Sequence, residues 1–197
     1  MPAVQPPSHD LLVHVRTVVS MILGLGVARL LNGVAGLVQH PKTERLSWLH
    51  LCWVTYMLVS VTAFWWWEFE LAEVSALTFE TYAFLIAYTA MQFLLCSLLF
   101  PTDMSEYASF QDYFMSRRAW FFGLLAATYA MDVIDTRLKG ARYLAHLGME
   151  YPIRIVALTA LCVIAGFVRD RRFHAVFAAG GLAYLISYIL RFYGSLP

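Results

Sequence analysis

Residues 17–38 read TVVSMILGLGVARLLNGVAGLV. The run is apolar on every helical face and holds a single charge, Arg29. A helix at a soluble protein's surface keeps a polar face, whereas one that is apolar all round sits in a core or in lipid. About 20 such residues cross roughly 30 Å of hydrocarbon, so the stretch predicts a transmembrane helix.

Five further stretches follow the same logic. The spacing predicts spans over 17–38, 46–67, 77–100, 118–136, 151–169 and 173–192, after a polar N-terminal segment over 1–16. Residues 17–197 thus form one all-α, polytopic six-span bundle. Composition agrees, since 60% of residues are hydrophobic and 14% charged, against about 25% charged in soluble domains. His40-Pro41-Lys42, Pro101 and Lys139-Gly140 mark turns. Trp48, Trp65, Trp66, Trp67 and Trp120 fall near span ends, where indole favours the headgroup level. No basic n-region precedes the first span, which is therefore expected to be retained rather than cleaved.

Between the third and fourth spans, Asp103 and Glu106 have the spacing of a capping-box variant. Met104, Tyr107, Phe110 and Phe114 then recur every three or four residues. This predicts a short amphipathic interfacial helix over 103–116.

Arg29 needs a polar partner or water, because an arginine at a span centre costs about 2.5–3.5 kcal/mol on insertion scales. Helical side chains lean toward their own N-terminus, so Arg29 and Asp132, on oppositely directed spans, lean toward each other. An Arg29–Asp132 contact is expected, with Asp135 as second partner and Asn32 sharing the polar site. Glu68, Glu70 and Glu80 lie at span ends on one side, where convergence would make an acidic mouth. Gly24, Ala28, Asn32 and Gly36, spaced by four, form a small-residue stripe suited to close helix packing. Ala179, Ala183 and Ser187 repeat the pattern in the last span.

His50 and His174 lie just inside the second and sixth spans on one side, as a bis-histidine haem would require. That redox reading is the third choice, and no cofactor or metal is expected. The cysteines Cys52, Cys96 and Cys162 lie in separate apolar segments and read as small hydrophobes. No nucleotide-binding, metalloprotease or hydrolase motif occurs, so no catalytic residue is assigned and an enzyme is not expected. A net charge of +1 gives no basic field for nucleic acid.

The leading expectation is a small ion or solute transporter or channel in the lipid bilayer, working as a homo-oligomer. The rival is a non-catalytic accessory or assembly subunit of a larger membrane complex. Loop basic residues divide almost evenly between the two sides. The compact Arg169-Asp170-Arg171-Arg172 turn places the loops after spans one, three and five in the cytoplasm.

Overall fold

The computed structural model describes residues 9–40, 47–68 and 78–192. These residues form seven helices and no strand. They are α1 (His9–Gln39), α2 (Trp48–Trp67), α3 (Phe79–Leu99), α4 (Phe110–Leu138), α5 (Ala141–Leu147), α6 (Glu150–Phe167) and α7 (Arg171–Phe192). Five of them, α1, α2, α3, α6 and α7, are long and apolar enough to cross a membrane. At 29 residues, or about 43 Å, α4 is long enough too. Its Asp112, Arg117, Arg118, Asp132, Asp135 and Arg137 leave it outside that group.

Local chemistry sets the helix starts. Ser47 accepts from His50 N–H, Thr78 from Thr81 N–H, and Ser109 from Asp112 N–H, each relieving one of the unpaired donors of a first turn. Gly140 (φ 98°) and Gly148 (φ 62°) bracket α5 in backbone conformations that disfavour a Cβ.

The expected interfacial helix over 103–116 is not a separate element. Asp103 spends both carboxylate oxygens on Ser105, accepting from its N–H at 2.8 Å and its hydroxyl at 2.9 Å, which makes a turn. Those two bonds also hold its carboxyl below the usual carboxylate range. Ser109 is the working cap, and residues 110–116 are the opening turns of α4. Their aromatics face the core, with Phe110 and Phe114 buried.

The first helix likewise starts earlier than Thr17, at His9, because no breaker interrupts 9–16. Its buried side runs Val15, Val19, Leu23, Gly26, Leu30 and Leu37, a stripe of spacing three, four and seven that points inward.

The most extensive pairings are α4 with α6, α1 with α3, and α2 with α7. The second helix also touches α1, α3 and α4, so it runs through the middle of the bundle. That is the place for a helix apolar on all faces. The first and third helices lie parallel, since Gly26 meets Cys96 and Phe93 while Gly33 meets Phe100. A Cβ at Gly33 would intrude on the Phe100 ring, and one at Gly26 would touch Cys96 Sγ at 3.4 Å. These two glycines, seven residues apart, permit the crossing.

The stripes expected to pack instead face outward. Gly24, Ala28 and Asn32 are exposed, and nothing lies within 4 Å of a Cβ placed on Gly24 or Gly36. Ala179, Ala183 and Ser187 are exposed in the same way. The small residues that do pack inward are others, Gly26 and Gly33 in α1 and Ala178 and Gly181 in α7. Trp48 and Trp120 are well exposed, as indoles at a lipid interface would be.

Candidate functional site

A single face of α2, read every three or four residues, orders the interior. His50 comes first, then Trp53, Tyr56, Ser60, Phe64 and Trp67, with Glu68 closing the helix. Together they run through four successive layers of the bundle, with Tyr56, Ser60, Phe64 and Trp67 lining one of them.

At the His50 end, side chains from three helices converge on the C-terminus of α3. Arg29 donates from Nη2 to the Phe100 carbonyl at 2.6 Å, His50 Nε2 to Leu99 at 2.6 Å, and the Tyr113 hydroxyl to Leu98 at 2.8 Å. The last carbonyls of a helix lack intrahelical partners and carry its partial negative charge. Arg29 therefore answers a need of α3, and the expected Arg29–Asp132 contact does not form. The physical reason is depth. With α1 beginning at His9 and Gly33 packed on Phe100, Arg29 lies near the end of α3, far along from Asp132 near the other end of α4. Asn32 faces outward and takes no part.

His174 caps in a similar way, its Nε2 lying 2.9 Å from the Val168 carbonyl, which also accepts from Arg118 Nε at 3.1 Å. A carbonyl only accepts, so Nε2 carries the proton in both histidines. His50 stacks on Phe110 and His174 on Phe122. A bis-histidine metal site would have to break both carbonyl bonds or use the buried, unpartnered Nδ1 atoms.

Below the histidines lies an aromatic layer. Trp53 contacts Tyr56, Phe114, Phe121, Phe122 and Phe177, with ring centroids 5.2–6.4 Å apart and mostly edge-to-face. Phe122 and Trp53 are almost wholly buried, and the Trp53 Nε1 is buried there without a partner.

Next comes a polar layer around an internal cavity of about 40 Å³. Its walls include Tyr56 and Tyr129, whose hydroxyls meet at 2.6 Å, together with Ser60, Gln92, Asp132 and Arg154. Asp132 Oδ2 and Arg154 Nη2 are 3.5 Å apart, their side chains 15% and 9% exposed. The guanidinium also sits over the Tyr188 ring at 4.3 Å, a cation–π contact that does not depend on the carboxylate. Tyr151 donates to the Asp132 backbone carbonyl at 3.1 Å. Gln92 Oε1 and Arg154 Nε are buried without a partner. Asp132, Arg154 and Trp67 also line a second, smaller cavity of about 10 Å³ beside Tyr143, Leu147 and Tyr151, toward α5.

The outermost layer is an ion cluster. Lys139 Nζ bonds Glu68 at 2.9 Å and Asp135 at 2.6 Å, all three side chains being at most 5% exposed. Burial opposes charge on Lys139, but the Asp135 and Glu68 carboxylates outweigh it and hold the ammonium above its usual range. Nearby, Arg191 grips Glu150 with two 2.6 Å bonds, and Tyr184 donates to the same carboxylate at 2.8 Å.

The expected grouping of Asp132 with Asp135 therefore divides, Asp132 turning to α6 and Asp135 to Lys139. Among the described residues the acidic mouth does not assemble either. Lys139 draws Glu68 into the interior, Glu80 is exposed on the first turn of α3, and Glu70 lies outside the described residues. Arg154, near the start of the span expected over 151–169, and Lys139, at the turn after the fourth span, join Gln92 as interior polar residues that the expected site did not include. The available signals were Arg154 within the apolar run of α6 and Gln92 as the one amide inside α3.

Seven helices, five with the length and apolarity of membrane spans, are consistent with an integral membrane protein. No protein-family model, no curated protein and no solved structure matches this chain.

Proposed function

We propose that the chain is a six-span membrane protein, with α4 as the sixth span, that moves a small ion across the bilayer through the Asp132–Arg154 site. Treating α4 as a span is supported by its uncharged middle, 119–131, and by its packing between α3 and α6. Its charges fall toward its two ends, and Asp132, Asp135 and Arg118 each have polar partners.

The observation that carries the transport reading is the looseness of the Asp132–Arg154 pair beside a cavity. A pair kept only to fix helix packing gains most from short, multiple bonds, as Glu150 and Arg191 make. Asp132 and Arg154 instead share one 3.5 Å contact, and both face the cavity. Charges inside a span are rare, and they mark ion pathways and proton relays. In proteoliposomes, the wild-type chain is expected to raise ion flux above protein-free liposomes, and Asp132→Asn to remove most of the gain. Equal flux in wild type and variant would refute this role for Asp132.

A second reading, an accessory or assembly subunit or a homo-oligomer, is favoured by the outward small-residue stripes of α1 and α7, which suit a neighbouring helix. Gentle extraction followed by mass measurement of the intact assembly separates these states. For orientation we place the loops after α1, α3 and α6 in the cytoplasm, a placement that labelling of single introduced cysteines at those loops tests.

A further inference from the structure

We propose that the ion moved is the proton, and that the Asp132 carboxylate binds it in transit. This rests on reading the Asp132–Arg154 site as a translocation site, and it adds the identity of the cargo.

Size is the first argument. A cavity needs about 10–15 Å³ to hold one water, so about 40 Å³ takes about three waters. An organic solute or an alkali ion with its hydration shell does not fit. The smaller cavity, which the pair also lines, is about 10 Å³ and takes about one.

The lining is the second argument. A dehydrated metal cation would want a ring of oxygen ligands and no neighbouring positive charge, yet the Arg154 guanidinium stands 3.5 Å from the one carboxylate. An anion would meet that carboxylate. Water and a proton suit both charges. Buried polar atoms in proteins are almost always satisfied, and here Gln92 Oε1 offers an acceptor while Arg154 Nε offers a donor, both buried and unpartnered. Bridging waters in the cavity would satisfy both. Such waters, with the Tyr56–Tyr129 hydroxyl pair, form a hydrogen-bonded chain that ends on Asp132.

The third argument is that protonating Asp132 leaves Arg154 held. The guanidinium keeps its place over the Tyr188 ring when the carboxylate is neutral. The groups facing Asp132 are Arg154 and Tyr151 from α6, Tyr56 from α2 and Tyr88 from α3. Tyr188 from α7 and, along its own helix, Asp135 and Lys139 complete its surroundings. Of these, Asp135 and Lys139 are already bonded to each other in the ion cluster with Glu68.

A proton entering through the smaller cavity, from the α5 end, adds to Asp132 Oδ2 and breaks the 3.5 Å contact. The neutral acid then gives its proton to water in the larger cavity, and the carboxylate is restored to Arg154. One proton enters and one leaves, with no other bond changed. The Trp53 aromatic layer seals the far side, so the last step requires those rings to move.

The test is the current through planar bilayers containing the purified protein, with a pH difference on one axis and K⁺ or Cl⁻ gradients on the other. Reversal at the proton equilibrium potential, unmoved by the salt gradients, is the expected result. Asp132→Glu is expected to keep a measurable proton current, and Asp132→Asn to lose it at least tenfold. Reversal that follows K⁺ or Cl⁻ would overturn the proton assignment while leaving translocation standing. No current, and no change of internal pH in proteoliposomes under a K⁺ diffusion potential, would overturn both. The wild-type reversal potential needs no variant, so a misfolded Asp132→Asn leaves the proposal falsifiable.

Discussion

Arg29 of α1 donates to the Phe100 carbonyl at 2.6 Å, placing a cation at the C-terminal end of a neighbouring, parallel helix. The same helix end receives His50 and Tyr113, so α1, α2 and α4 are all tied to the last turn of α3. An intramembrane arginine is thus accounted for by a helix terminus, without a carboxylate.

Removing that donor leaves the Phe100 carbonyl short of a partner. Arg29→Ala is expected to destabilise the fold by about 1–3 kcal/mol, the range for losing a hydrogen bond to a charged group or stranding a buried acceptor. Arg29→Lys should recover part of it. Unfolding in mixed detergent micelles reads both, and an unchanged midpoint for Arg29→Ala would show that the cap is dispensable.

Gly33 and Gly24 are nine residues, about two and a half turns, apart on the same helix, so they lie on opposite faces and should respond differently. Gly33→Val drives a side chain into the Phe100 ring, and overpacking of this kind costs about 1–3 kcal/mol. Gly24→Val meets nothing within 4 Å and should leave the stability of the single chain nearly unchanged. Thermal unfolding of the two variants gives the comparison. If Gly24→Val lowers the assembled mass without lowering monomer stability, the outward stripe is an interface between chains.

Lys139 bonds the buried Glu68 and Asp135 carboxyl groups at once, so Lys139→Met would leave both without their cation. Breaking a buried pair by deleting one partner typically costs about 3–5 kcal/mol. Adding Glu68→Gln and Asp135→Asn should restore most of the loss. If the single and the triple variant both unfold at the same denaturant concentration as wild type, the cluster contributes nothing.

The pH dependence of that cluster has a definite sign. Lys139 is held above its ordinary value of 10.5 by its carboxylates. A folded-state value above the unfolded one means that its contribution is fully present below about pH 10.5 and is lost as pH rises through the folded value. Between pH 8 and 10 the lysine's contribution should therefore stay flat, read by denaturant unfolding of the wild-type chain across that window. A contribution that fades across this window would mean that the ammonium is not stabilised.

Much of the fold was legible because span limits are local. The ends expected for the second, third and sixth spans lie within two residues of α2, α3 and α7, where serine and threonine caps and the apolar runs themselves decide. Asp132 could be singled out as an interior charge from its place in α4. Its partner could not, because pairing depends on the relative depth and rotation of helices far apart in sequence. The additional turns of α1 before Thr17 shift Arg29 toward the end of α3, and the outward turn of Gly24 and Ala28 follows from which face packs on Cys96 and Phe100. For the segment over 103–116, two competing caps lay six residues apart, and Asp103 was captured by Ser105 in a turn.

Transport through Asp132 and Arg154 is tested most directly by neutralising the pair together. Replacing a buried ion pair by apolar residues of similar volume is often close to neutral for stability, so the Asp132→Leu, Arg154→Met double variant should fold within about 1 kcal/mol of wild type. Measured side by side in proteoliposomes, it should carry no more ion flux than protein-free liposomes. Wild-type flux from the folded double variant would contradict the transport role and leave the pair as a packing element.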